Sequence, residues 1–228
     1  MTGQRRFWTD VTIEERAVRL DGRPLRTPAR AELALPTVAL ADAVAEEWRA
    51  VRGSIDPRAM PLTGLANAAV DRVAPDLAKF AHGLAAYAET DLTCYRANTP
   101  ASLVARQATE WDPLLDWARG RYDVAFAVTS GIIHVAQPAA TVERLARAVT
   151  AFDAFHLAAL SPLTTLSGSL VIALALAEAA VREEDAWRAA ELDELWQAET
   201  WGEDALAVAA REDRRAAFRA AARFLALL

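Results

Sequence analysis

The chain has 228 residues, a formal net charge of -6 and 54% hydrophobic residues, which is ample for a real core and too apolar for disorder. The acidic balance argues against a nucleic-acid binder, whose phosphate-facing surface needs a basic excess. Cys94 is the sole cysteine; this excludes an internal disulfide and a cysteine-based zinc site, and it suits a reducing compartment.

The opening MTGQRRFWTDVTIEE lacks the apolar centre of a secretory signal and turns acidic too soon for an organelle presequence. Residues 7–14 alternate loosely and predict a strand, continued by 17–20. Asp21-Gly22 is a hairpin signal, with a return strand over 23–27 that Pro24 marks as an edge, and 32–35 is a further short strand. Thr37 is the expected N-cap of the first long helix, in which Leu40, Val44 and Trp48 recur every four residues until Gly53. A helix follows over 62–73, with Asn67 and Asp71 one turn apart and placed to satisfy buried backbone groups. Another opens at Pro75 and runs to Ala88.

Residues 90–96 form a short polar and aromatic connection, and 103–120 is helical. Within it Asp112-Pro113 predicts a cap and a division into two pieces, because proline prefers a first helical position. Residues 122–128 and 132–135 read as two short strands that extend the N-terminal sheet or pack beside it, returning the chain to the first domain. Four more helices are expected over 141–159, 163–181, 183–200 and 204–227, with a break at Asp153. The apolar run near 166–181 is interrupted by Glu178 and is too short for a bilayer, so a buried central helix is predicted.

Chemistry-bearing patterns are sparse. His82, His134 and His156 have no metal-ligand spacing, and each reads as a structural histidine. Ser167-Gly168-Ser169 is not a phosphate loop, and Thr129-Ser130-Gly131 is not a nucleophile elbow. No catalytic, metal or cofactor site emerges. The informative stretch is WRAAELDELWQAETWGED, residues 187–204, which mixes three tryptophans with acids on a helical period. Asp193, Gln197 and Trp201 fall at i, i+4 and i+8, with Glu194 beside them. Aromatic rings supply contact area and charges supply orientation, as on a protein-binding surface; a surface helix with its tryptophans turned into the core is the competing reading. Glu110, Trp111 and Asp112 form a second such group. A carboxylate pair such as Glu110 with Asp193 or Glu194 would alternatively suit a hydrolase.

Six strings occur in order: LDGRPLRTP (20–28), MPLTGLANAAVDRV (60–73), YAETDLTCYRA (87–97), ARQATEWDPLLDW (105–117), TLSGSLVIALA (165–175) and LDELWQAETWGED (192–204). Together, over about residues 6–220, they resemble the ATP-twelve family, assembly chaperones for the F(1) head of the proton-transporting ATP synthase. The resemblance implies a non-enzyme that uses no nucleotide and binds the free F(1) α subunit, keeping it from aggregating until it pairs with β. It implies an α-proteobacterial protein acting in the cytoplasm, or in the mitochondrial matrix if a presequence has been removed. It also supports an α+β fold: a small N-terminal α/β domain (1–75) with antiparallel strands, joined by strands from 122–136, and then a larger helical orthogonal bundle (76–228). On the local chemistry, Asp193, Glu194, Gln197 and Trp201 are the expected client contacts, followed by Glu110, Trp111 and Asp112. A scaffold for another client is the remaining alternative.

Overall fold

The computed structural model describes residues 5–131 and 133–228. The N-terminal strands β1 (Val11–Glu14), β2 (Ala17–Leu20) and β3 (Arg23–Pro24) form an antiparallel sheet in that order, with Val11 opposite Leu20 and Arg19 opposite Pro24. The β2–β3 turn is Asp21-Gly22, both with positive φ (48° and 77°), the geometry that lets a two-residue loop match strand twist. The Asp21 carboxylate also accepts from the backbone N–H groups of Thr9 (3.0 Å) and Asp10 (2.8 Å). Past Pro24 the backbone still meets β2, Leu25 N–H donating to the Val18 carbonyl at 2.8 Å, while the Leu25 carbonyl accepts from Leu33 N–H at 3.1 Å. The strand expected over 32–35 is reduced to single bridges, Arg26 to Glu32 and Ala17 to Ala34.

Helix α1 (Val38–Ala50) begins at Thr37, whose side chain accepts from Leu40 N–H at 3.1 Å and donates to the Leu227 carbonyl. Its buried stripe of Leu40, Val44 and Trp48 covers the sheet and joins Trp8, Leu33 and Leu62 in one apolar cluster. Glu47 reaches the start of α2 (Pro61–Ala68), accepting from Leu62 N–H and Thr63 N–H, both at 2.8 Å. A carboxylate at that end satisfies two orphan donors and complements the helix dipole. The helix continues as one wider turn over Ala69–Val73. Asp71 accepts from Ala29 N–H at 2.9 Å, whereas Asn67 Oδ1 is buried with no partner among the described residues. Asp76 caps α3 (Leu77–Ala85).

Helix α4 (Ala101–Tyr122) runs unbroken through Pro113, so the division expected at Asp112 does not occur. An internal proline costs about 3 kcal/mol, but Trp111, Leu114, Leu115 and Ala118 are all buried around it and each large apolar group contributes about 1.5–3 kcal/mol. Asp112 therefore sits mid-helix and pairs with Arg96 at 2.8 Å. The strands expected over 122–135 do not join the N-terminal sheet. Only β5 (Thr129–Ser130) forms, and it pairs in parallel with β4 (Tyr95–Arg96). Ile132 lies outside the described residues, and 133–135 have no regular structure. Side chains take the place of a ladder: Gln137 exchanges two bonds with the Ala127 backbone (3.0 and 2.9 Å), and Thr141 Oγ1 donates to the Ala125 carbonyl at 2.6 Å.

Asp153 separates α5 (Ala139–Thr150) from α6 (Ala154–Ser167), accepting from Phe155 and His156 N–H groups at 2.9 and 3.0 Å. Helix α6 ends at Gly168 (φ 67°), and α7 (Leu170–Ala177) follows with six of its eight residues buried. It is the central helix anticipated from its apolar run, though shorter. The helix expected over 183–200 is two, α8 (Glu183–Ala190) and α9 (Leu192–Trp201), separated by Glu191. The last helix, α10 (Ala205–Ala226), sends Phe218 and Ala221 into the larger cluster around Trp111, Leu160 and α7, and Phe224 into the N-terminal one. Among the described residues no helix is long and apolar enough to cross a membrane.

Candidate functional site

Helix α9 lies beside α4 and shares a groove with the start of α10, and its acids meet bases from both. Gln107, buried in α4, accepts from Ala97 N–H at 2.8 Å and donates to Asp193 Oδ1 at 2.7 Å. Arg106, one residue earlier, grips Glu199 with two bonds of 2.6 and 3.1 Å. This hydrogen bond holds the Glu199 carboxyl below its ordinary range. Arg214 of α10 reaches Glu191 at 2.6 Å and also Glu194. Burial pushes the Glu191 carboxyl up, and the neighbouring Glu194 charge adds to this against the pull of Arg214.

The predicted row of Asp193, Gln197 and Trp201 is therefore divided. Asp193 turns toward α4, while Gln197 and Trp201 stay exposed and line a groove of about 370 Å³ with Glu194, Ala207, Val208 and Arg211. Trp201 is 72% exposed, and Leu206, just across the turn to α10, is 81% exposed. Trp196 is half-buried and meets Trp201 edge to face, with ring centroids 5.7 Å apart. Large apolar groups usually hide, yet these two flank one acidic turn in water.

The second predicted group is divided by burial: Asp112 is exposed, Glu110 half-buried and Trp111 inside. Trp111 is fully buried; its indole N–H donates to the Ala189 carbonyl at 2.8 Å, and the Arg96 guanidinium stacks on its ring. It is a core residue, packed in the larger cluster with Leu114, Leu115 and α7. Glu110 pairs with Arg188 at 3.1 Å and Asp112 with Arg96. Glu110, Asp193 and Glu194 thus each answer a separate donor, which removes the basis for treating them as a hydrolytic pair. Among the described residues no group of three or more His, Cys, Asp or Glu could hold a metal ion. His156 bonds Asp153 at 2.9 Å, His134 approaches Tyr95 Oη at 3.2 Å outside any strand, and His82 is exposed on α3.

Sequence reasoning missed Arg106, Gln107, Arg188 and Arg214, since nothing local says which acid a distant arginine will meet. It also missed Asp91. This carboxylate is fully buried and accepts from Thr93 N–H (3.1 Å), Thr93 Oγ1 (2.7 Å), Ser169 Oγ (2.8 Å) and Val171 N–H (2.9 Å). Burial raises its pKa, although all four bonds oppose that shift. The clustering of small polar residues at 91–93 and 167–169 was its only trace in the sequence.

Residues 5–119 match the family model described as ATP12 chaperone protein. The chain is 45% identical to Atp12 from Paracoccus denitrificans, with a TM-score of 0.92 over 98% of each chain. A mutant of the same Paracoccus protein matches at 45% identity and a TM-score of 0.92, over 98% of this chain and 97% of that one. A candidate chaperone from Agrobacterium tumefaciens is 40% identical, with a TM-score of 0.92 over 97% of this chain and 85% of that one. The family and these neighbours are chaperones and not enzymes. With the family model spanning half of its length and these solved relatives nearly all of it, the chain belongs to the ATP12 chaperone family.

Proposed function

We propose that the chain serves ATP synthase assembly by binding the free F(1) α subunit and shielding it from aggregation until β takes its place. The observation that supports this reading best is the exposed pair Trp201 and Leu206 beside the acidic groove of α9 and α10. An unassembled subunit presents an apolar surface meant for its neighbour, and such surfaces aggregate. A chaperone that must later yield to that neighbour needs a modest, partly polar interface rather than an obligate one. Gln197 and Trp201 are the leading contacts, and Glu194 orients the approach while shared with Arg214. Asp193, held by Gln107, supports α9 from the α4 side. The bacterial cytoplasm is the setting that goes with this role.

Light scattering from isolated α subunit without nucleotide tests the proposal. The purified chain suppresses aggregation, and Trp201→Ala and Glu194→Lys weaken that suppression while leaving the fold intact. Aggregation at an unchanged rate in the presence of the wild-type chain would refute the client, and full activity of both variants would move the site elsewhere.

A further inference from the structure

Helix α9 is attached to the body by a different chemistry from its neighbours. Six of the eight residues of α7 are buried, whereas of the ten in α9 Leu192 alone is, at the first position. Apart from Leu192 and the half-buried Trp196, which pack on the larger cluster, its docking rests on polar contacts: Arg106 on Glu199, Gln107 on Asp193, and Arg214 on Glu194 and the adjoining Glu191. Within α9 there are three acids and no base, so every partner comes from another element. The Arg106 and Glu199 side chains remain 30% and 60% exposed, and water-facing pairs of this kind are weak and screened by salt. Both ends of α9 are breaks in the helix. Glu191 has φ -99° and ψ 14°, and Gly202 has φ 90°, a conformation side chains disfavour. Beyond Gly202, α10 buries nothing before Phe218.

We propose that α9 is a charge-latched lever. It swings away from α4 about Glu191 and Gly202 when the Arg106–Glu199 and Gln107–Asp193 contacts open, and the swing bares Trp196 beside Trp201. Elements that move in binding are drawn from the weakly held parts of a fold, and α9 has the fewest apolar anchors of the helices around the site. Its motion enlarges the apolar face without unfolding the core, because the buried α7 and the Trp111 contact with Ala189 stay in place. The use of the lever in client capture rests on the proposed function; the lever itself does not.

Hydrogen exchange with mass spectrometry on the full chain decides the matter, comparing residues 192–201 with 170–177. Amides of α9 exchange about two- to fivefold faster in about 0.5 M NaCl than in dilute buffer. Arg106→Gln and, independently, Glu199→Gln reproduce that acceleration in dilute buffer, while 170–177 does not respond. Protection of α9 equal to that of 170–177, or exchange unmoved by salt and by both substitutions, overturns the lever. A salt-responsive α9 in a chain that ignores the α subunit would count against the proposed function alone.

Discussion

Asp91 is where a single atom change reaches furthest into this fold. Its carboxylate ties the turn at residues 91–93 to the first turn of α7, the helix at the centre of the larger apolar cluster. Asp91→Ala leaves four donors without their acceptor. The Thr93 and Ser169 hydroxyls can rotate, and Ser169 Oγ already accepts from Ile172 N–H at 3.0 Å, so the two backbone N–H groups dominate the loss. An unsatisfied buried donor costs about 1–3 kcal/mol. Removing a buried charge recovers part of that, since desolvation is what raises the Asp91 pKa. The expected net loss is about 1–4 kcal/mol, a considerable share of the roughly 5–15 kcal/mol that holds a domain together. Asp91→Asn keeps the shape and one acceptor oxygen and loses about 1–2 kcal/mol. The raised pKa also fixes a slope. The folded chain holds this proton above the ordinary 3.8, so the contribution of Asp91 is full below that value and declines as pH rises through the folded pKa. The Asn variant lacks this decline. Urea unfolding followed by far-UV circular dichroism measures all three quantities. A loss below about 1 kcal/mol for the Ala variant, at an unchanged m-value, would show that water replaces the carboxylate and would refute the argument.

Trp201→Ala shifts unfolding stability by no more than about 0.5 kcal/mol, as for an exposed side chain, whereas Trp111→Ala loses about 3–5 kcal/mol; equal losses in urea titrations would contradict their opposite burial. Burial pushes the Cys94 thiol up to about 12, so iodoacetamide at pH 8 labels it only after unfolding, and native labelling at the rate of a free thiol would disprove that environment. The Arg106 bond lowers the Glu199 pKa below 4.5. Its stabilising effect is therefore complete above that value and fades as pH falls through the folded pKa, loosening α9 in acid. Hydrogen exchange read at stepped pH sees this in wild type and not in Arg106→Gln; the same acid response in both would break the assignment.

The family resemblance and several local devices were legible before any fold was in view. The Asp21-Gly22 turn, the cap at Thr37, the break at Asp153, and the buried helix after Gly168 are set by residues within a few positions of one another, so chain order alone specifies them. The candidate site was legible only in part. A helical period identifies a face but not what covers it. Asp193 and Trp201 share one face by spacing, yet Gln107, far away in sequence, draws the first inward, and among the described residues nothing covers the second. The apolar alternation at 122–135 imitated strands because side chains of Gln137 and Thr141, which no local pattern can anticipate, hold that backbone instead. Glu191 interrupts what reads as one helix, and its buried carboxylate meets Arg214, a partner far along the chain. The plainest case is the contrast between Trp111 and Trp201, two indoles in similar acidic surroundings. Composition determined that both could serve a surface. Only the tertiary packing, which offers the Ala189 carbonyl of α8 to one ring and leaves the other in water, decided which of them is buried and which exposed.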